Sequence, residues 1–347
     1  MRKRIVTFGE VLLRLTPPDC LRLKQTNLLE ASFGGSESNV AASLVNYGQE
    51  VEFVTRLPQN EVGEACLSAL RKAGLGTRYV VRGGSRLGIY FMEEGAAMRA
   101  PRVVYDRADS AFSTLTPGMI DWESVFAEAD WFHWSGIVPA SSQYAADVCQ
   151  EAIEVADRMG LTISCDLNFR KNLWKYGKTA LEVMPPMVAK SDVIFGAMSE
   201  YKNTLGIADV NFTATSADYV YDKDAFLKEC LLIESQYPRC KKLFIELRNS
   251  LSVNHDLLGA VLFSDGILKT ASVYDIDHVV DKVGVGDAFV GGMIYGLIAY
   301  AGNDQRALDF ALAASALKNT IPGDFNEVTV AEVESLMDGN TSGRVSR

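Results

Sequence analysis

Histidine is scarce in this chain of 347 residues: there are three, His133, His255 and His278. The six cysteines, Cys20, Cys66, Cys149, Cys165, Cys230 and Cys240, are scattered and form no CxxC pair. That combination argues against a zinc site and reads as reduced thiols in a cytosolic protein. A basic excess is also missing. Lys and Arg number 34 against 44 Asp and Glu, a formal net charge of -10, which argues against nucleic acid or an anionic membrane as partner. A small anionic ligand stays possible, because a few local arginines can hold one carboxylate or phosphate inside an acidic protein. No uninterrupted apolar run is long enough to span a bilayer. The longest candidate, Phe289 to Tyr300, is short and rich in glycine. The opening MRKRIVTFGEVLLRL has basic residues first, but Glu10 and Arg14 interrupt the apolar stretch that a signal peptide needs. We therefore read residues 5–9 as a buried strand and expect a cytoplasmic protein. Internal repeats and low-complexity linkers are absent from the sequence.

What the chain does have is enough apolar material for a large core, 48% of residues against 22% charged, without staples. Strand-like and helix-like segments alternate. Strand 5–9 is followed by the glycine turn and small-residue helix of FGGSESNVAASLVNYG (33–48), strand 51–57 and helix 61–74. Residues 79–105 break the rhythm with short β-rich pieces, YVV, LGIYFME and RVVY, separated by glycines. These read as antiparallel strands outside the main sheet. Strand 130–136, helix 144–160, strand 161–168, a helix near 179–190, strand 192–197, a helical 199–206, helix 224–236 and strand 242–248 resume the alternation. A strand pair near 251–274 and a long helical C-terminal region complete it. The expectation is an α/β fold, doubly wound, with a mostly parallel central sheet flanked by helices and a small antiparallel β lid. The lid is expected from segments about 10–32 and 79–112 inserted in a single domain spanning 1–340, with 341–347 a loose tail. Ligands of such sheets bind at the carboxyl ends of the strands, where an appendage can act as a lid.

The strongest chemical signal is DKVGVGDAFVGGMIYGL, residues 281–297. Gly284, Val285 and Gly286 form a tight turn, and Asp287 follows in the first turn of an apolar helix. Backbone N–H groups at a helix start point outward at the positive end of the dipole, and glycine lets a phosphate approach them. A carboxylate beside such an anion site can accept the proton of an attacking hydroxyl, and phosphoryl transfer asks mainly for positioning and charge stabilisation. A helix N-terminus with a capping aspartate, and glycines for close packing at Gly291, Gly292 and Gly296, explains the same residues structurally.

GVGDAF (284–289) resembles the GAGDxF signature of the ribokinase-like (PfkB) sugar kinases. Gly34 and Gly35, with Asn39 and Ala41 on the following helix, resemble that family's first signature, GGxxxNxA. The resemblance runs over nearly the whole chain. It implies a ribokinase-like domain using ATP and Mg²⁺. It also implies Asp287 as catalytic base and an anion hole at Gly284, Val285 and Gly286 for the transferred phosphoryl group. Glu200 in AMSE matches the glutamate of the family's NxxE magnesium motif, acting through water. A homo-oligomer joined through the β lid is the expected assembly.

Two arginines and two phenols point to the acceptor. In a strand, Tyr105 and Arg107 share one face and Asp106 takes the other. Tyr90 lies on the preceding lid strand, and Asn168 and Arg170 lie just past a parallel strand. Such a set suits a carboxylate-bearing sugar better than a neutral one. An ordinary lid face, with Arg170 on a local acid, is the structural alternative. The patterns YFMEEG, VVYDRADSA, DLNFR and SALKNTIPGDF resemble the 2-keto-3-deoxygluconate kinases of the family. That resemblance implies substrate contacts from Gly34, Gly35, Asn39, Tyr90, Tyr105, Arg107, Asn168, Arg170 and Asp287. Arg107 and Arg170 would face the carboxylate, and the 6-hydroxyl would be phosphorylated. Nucleotide contacts fall to Glu246, Arg248, Gly284, Gly286 and Asn319.

Three positions depart from the family pattern. Ala197 replaces the asparagine of NxxE. Lys282 stands where many relatives have threonine after the aspartate matched by Asp281. The nucleotide-side strand reads IELRNSLS (245–252) and lacks two glycines of the usual Lys/Thr-x-Gly-x-x-Gly. These leave two alternatives standing: a kinase for another sugar or the galacto epimer, and a non-catalytic sugar-acid-binding protein on the same scaffold. His133 reads as a satisfied histidine at a strand end, Trp131 and Trp134 as core, and Asp324 as support for the nucleotide pocket.

Overall fold

The computed structural model describes residues 2–208, 212–214 and 219–340; the tail expected at 341–347 lies outside them. The chain opens with strand β1 (Arg4–Phe8) and leaves the main sheet for β2 (Leu12–Thr16) and β3 (Glu30–Gly34). Helix α1 (Ser36–Asn46) leads back to β4 (Glu50–Val54), and helix α2 (Glu61–Lys72) follows. The chain departs again for β5 (Ile89–Glu93) and β6 (Arg102–Asp106). Then come β7 (Trp131–Ser135), α3 (Gln143–Arg158), β8 (Thr162–Asp166), α4 (Ala180–Val188), β9 (Val193–Gly196), α5 (Met198–Leu205) and α6 (Lys223–Gln236). The antiparallel run β10 (Lys242–Ser252), β11 (His255–Ser264) and β12 (Ile267–Thr270) precedes β13 (Tyr274–Ile276). Helices α7 (Val285–Ala299), α8 (Asp304–Lys318) and α9 (Val330–Met337) finish the chain.

The main sheet has the order β12-β11-β10-β9-β8-β7-β1-β4, with β13 also on β11. Its pairs from β10 to β4 are parallel, and the three pairings made by β11 are antiparallel. Parallel strands covered on both faces must be apolar on both, and the alternation is visible residue by residue. Val6, Phe132, Ile163 and Ile194 pack into one cluster. Their neighbours Ile5, Trp131, Phe195 and Phe244 pack into another. Helices α3 to α6 supply residues to the first cluster; α1, α2, α7 and α8 supply the second. Small residues set the helix spacing there: a Cβ on Gly291 would lie 2.7 Å from Cβ of Ser43, and one on Gly296 would lie 2.8 Å from Cα of Ala307.

The lid is a four-stranded sheet, β3-β2-β5-β6. Its outer pairings are antiparallel, but its central pair, β2 with β5, is parallel. The expected antiparallel hairpins are present, joined to each other by this parallel pair. The two lid hairpins come from separate excursions of the chain and meet side by side. YVV is also not a lid piece: Val81–Arg82 pairs with Arg56–Leu57 in a separate two-stranded sheet. The expected strand 51–57 is thus divided, because Thr55 ends the ladder and the last two residues turn to a different partner. Among the described residues no helix is long and apolar enough to cross a membrane.

Candidate active site

A cavity of about 460 Å³ opens at the carboxyl ends of the parallel strands, beneath the lid. The loops after β1, β8 and β9, strand β10, the starts of α1 and α7, and the lid strands all line it. The polypeptide therefore brings the two glycine motifs, more than two hundred residues apart in sequence, to one place.

Asp287 sits half-buried in the first turn of α7 and lines this cavity. Ser36 Oγ donates to its Oδ1 at 2.8 Å, and Asn39 Nδ2 donates to its Oδ2 at 2.7 Å. Burial raises the Asp287 pKa from the ordinary carboxylate value; the two hydrogen bonds and the Arg170 charge oppose that rise. Gly284 caps the helix with φ +78°, a left-handed conformation that favours glycine. A Cβ on Gly284 would also lie 2.2 Å from the Asp324 carbonyl oxygen. A Cβ on Gly286 would meet nothing within 4 Å, so the space before the helix start is open. Val285 turns its side chain into the core and does not line the cavity.

Asn168, just past β8, adopts φ +34°. Its Nδ2 donates to Ser36 Oγ and to Asp166 Oδ2, both at 3.1 Å. Asp166 was missed in the sequence; an acid ending an otherwise apolar strand (ISCD) is the signal that marks it. Burial, then the nearby Glu200 and Asp287 charges, push the Asp166 pKa well up, while Arg170 pulls it down. Glu200 is raised chiefly by burial. It accepts hydrogen bonds from Ala197 N at 2.8 Å and Phe169 N at 3.1 Å. The backbone of Ala197 thus serves this carboxylate although the family's asparagine side chain is gone.

Arg107 and Arg170 both line the cavity, and each has its own acidic neighbours. Arg107, at the lid end, is paired with Glu10. The Arg170 charge acts on Asp166, Glu200 and Asp287. Tyr90 donates to Asp324 Oδ1 at 2.5 Å, and Tyr105 lies against Tyr90 with ring centroids 6.1 Å apart. Asp106 turns away to Arg86.

Asp324, read from sequence as support for the nucleotide pocket, lies against the lid and the first glycine motif. It stands against Gly34, where a Cβ would fall 2.1 Å from its Oδ1. Arg14, on lid strand β2 and 4% exposed, donates from Nη1 to Asp281 Oδ2 at 2.8 Å and to Asp324 Oδ2 at 3.2 Å. Asp281 in turn accepts from Val283 N at 2.9 Å and Gly323 N at 3.0 Å. A second buried cation, Lys318, donates to the Ile321 carbonyl at 2.9 Å behind Gly284. Arg14 carried no sequence motif, and Lys318 lies within SALKNTIPGDF without having been singled out there.

At the opposite end Arg248 lines the cavity paired with Glu246 at 2.7 Å. Lys282 lines the cavity, and its Nζ pairs with the buried Asp256 at 2.7 Å. Asn319 is fully buried and does not line the cavity. Its Nδ2 donates to Ser315 O, and its carbonyl accepts from Val280 N. This corrects its assignment as a nucleotide contact, because the end of α8 turns it inward. His133 is buried, its Nδ1 sharing a hydrogen bond with Ser164 Oγ, and burial pushes its pKa down to about 3.

Known proteins resemble this chain over nearly its whole length. A 2-dehydro-3-deoxygalactonokinase of Haloferax volcanii is 30% identical over 99% of both chains. A 2-dehydro-3-deoxygluconokinase of Bacillus subtilis is 26% identical over 96% of this chain and 94% of its own. The crystal structure of 2-dehydro-3-deoxygluconokinase from Thermotoga maritima superposes with a TM-score of 0.90 at 40% identity, covering 97% of this chain and 100% of that one. Residues 2–327 match the family described as pfkB family carbohydrate kinase. The chain therefore belongs to the pfkB family and is a carbohydrate kinase.

Proposed function

We propose that the protein phosphorylates 2-keto-3-deoxygluconate on its 6-hydroxyl with ATP, giving 2-keto-3-deoxy-6-phosphogluconate, and that Asp287 is the base. The observation that carries this reading is the position of Asp287. It is held by Ser36 and Asn39 in one cavity with the open helix start at Gly286 and with the lid residues Tyr90, Tyr105 and Arg107. The amides of Val285, Gly286 and Asp287 receive the transferred phosphoryl group at the positive end of α7. Asp287 takes the hydroxyl proton as the new O–P bond forms. Arg170, among Asp166, Glu200 and Asp287, supplies positive charge at the phosphoryl end. Arg107, at the lid end, receives the substrate carboxylate. The gluco acid is favoured over its galacto epimer by the higher identity to the Thermotoga enzyme.

Magnesium fits the donor set. Asp166 and Glu200 are hard oxygen donors whose pKa values are raised, partly by neighbouring negative charge, and a cation would relieve that repulsion. Among the described residues no group of three or more acidic, His or Cys side chains could hold a metal alone, so phosphate oxygens and water would complete its shell. The ion would neutralise charge on the phosphates.

The lid edge supports association of two copies. Strand β6 pairs on one side only, and all five of its residues are exposed. A coupled ADP-release assay across both keto-deoxy acids and neutral sugars tests the whole reading. Turnover dependent on the keto acid, lost in Asp287→Asn, supports it; binding of the acid without ATP turnover refutes it.

A further inference from the structure

Glu10 lies in the cavity and has no part in phosphoryl transfer as described above. It follows Gly9 at the end of β1 and is 4% exposed. Its Oε2 accepts from Nε of Arg107 at 2.9 Å and also from Nη2 of Arg107. Its Oε1 accepts from Ser110 Oγ at 2.5 Å. The pair is walled in. A Cβ on Gly88 would lie 2.9 Å from Glu10 Oε1 and 3.1 Å from Cβ of Arg107. The Arg107 guanidinium also stands 5.8 Å from the Tyr105 ring centroid.

An arginine that is to meet a substrate carboxylate is thus already bound to a carboxylate of the protein. Either the substrate displaces Glu10, or Glu10 stays and shapes what the arginine offers. Displacement would leave a buried carboxylate without its cation, which is strongly unfavourable. Ser110 and the Gly88 wall further hold Glu10 in place. Retention leaves Nη1 available, because it has no hydrogen-bond partner among the described residues. A planar guanidinium gripped along one edge presents its remaining N–H groups in a fixed direction.

We propose that Glu10 is a positioning residue for substrate recognition: it fixes Arg107 so that the open part of the guanidinium meets the carboxylate of a keto sugar acid. This rests on the assignment of Arg107 to the substrate carboxylate. Because Glu10 neutralises the arginine, the lid end selects an acid by directed hydrogen bonds more than by net charge.

The test compares steady-state kinetics of Glu10→Gln, Arg107→Ala, Ser110→Ala and the Glu10→Gln/Arg107→Ala double variant, each first checked by thermal melting. Glu10→Gln is expected to raise KM for the keto acid about tenfold, as a charge-assisted contact loses its alignment. Its kcat and its KM for ATP stay near those of the parent. Ser110→Ala moves KM the same way by less. In the double variant Glu10→Gln adds nothing to Arg107→Ala. An unchanged or lowered KM in Glu10→Gln, with KM raised in Arg107→Ala, overturns the proposal and leaves the Arg107 assignment intact. Unchanged KM in Arg107→Ala overturns that assignment and the proposal with it. If Glu10→Gln does not fold, Glu10→Asp carries the comparison, since it keeps the charge but draws it back from Arg107.

Discussion

Asn39 Nδ2 donates to Asp287 Oδ2 at 2.7 Å, joining the N-terminal glycine motif to the C-terminal one across 248 residues of sequence. The bond stabilises the charged form of a carboxyl that burial pushes toward the neutral form. Asn39→Ala should therefore raise the Asp287 pKa further. The acid limb of the kcat/KM profile should move to higher pH, while the alkaline limb stays in place. Asp287→Asn, which removes the base outright, should lower kcat by about 10²–10⁴-fold at every pH. A pH–rate profile in which Asn39→Ala and the parent share one acid limb would remove Asn39 from the support of the base.

Arg14 gives a prediction about stability. From the lid strand it pairs with Asp281 and Asp324, and all three side chains are nearly inaccessible. Arg14→Met keeps the bulk but leaves two buried carboxylates facing each other. Breaking a buried pair on one side costs about 3–5 kcal/mol. Denaturant unfolding should show a loss of that order. Because Asp281 also receives Val283 N and Gly323 N beside the helix cap, kcat should fall in the variant that remains folded. A loss below about 1 kcal/mol would mean that the network is solvated or rearranges freely.

Much of this site was readable in the sequence because its parts are local. The turn at Gly284 and the first turn of α7 are specified by adjacent residues, and alternation placed Tyr105 and Arg107 opposite Asp106. What sequence could not supply were relations across the fold. Arg107 looked available until β1 brought Glu10 beside it. Lys282 had no visible partner in its own segment; Asp256 comes from β11. Asn319 was expected to touch the nucleotide, but the end of α8 buries it. The parallel pairing of β2 with β5 was equally hidden, because each hairpin pattern is satisfied within its own segment.

Glu37 makes stability depend on pH. It is fully buried on α1, with Oε1 accepting from Ser135 Oγ and Oε2 without a partner among the described residues. Burial lifts its pKa from 4.5 to about 7. The folded state thus holds a proton that the unfolded chain has released. This contribution is fully present below pH 4.5, declines as the pH rises through about 7, and is absent above that. A shift of this size corresponds to about 3 kcal/mol. Glu37→Gln keeps the shape and removes the titration. The stability difference between it and the parent should change by about that amount between pH 4.5 and 8. A difference that stays constant with pH would show that Glu37 is ionised in the folded state.

The outer lid strand sets the last prediction. Val103 is 42% exposed and Val104 is 56% exposed on β6, an edge strand that pairs with β5 alone. An unpaired apolar edge is a ready template for another strand, and proteins that stay monomeric blunt such edges with charge or proline. Within Arg102–Asp106 the charges fall at the two ends and leave Val103, Val104 and Tyr105 between them. Two copies joined about a twofold axis would cover each other's edge with the same residues. Sedimentation should give a dimer for the parent and a monomer for Val104→Lys, which charges the middle of the strand. Tyr105 and Arg107 flank this edge and line the cavity, so the monomer should also bind the keto acid more weakly. A parent protein that sediments as a monomer at micromolar concentration would leave this edge without a partner copy and remove any role for association in substrate binding.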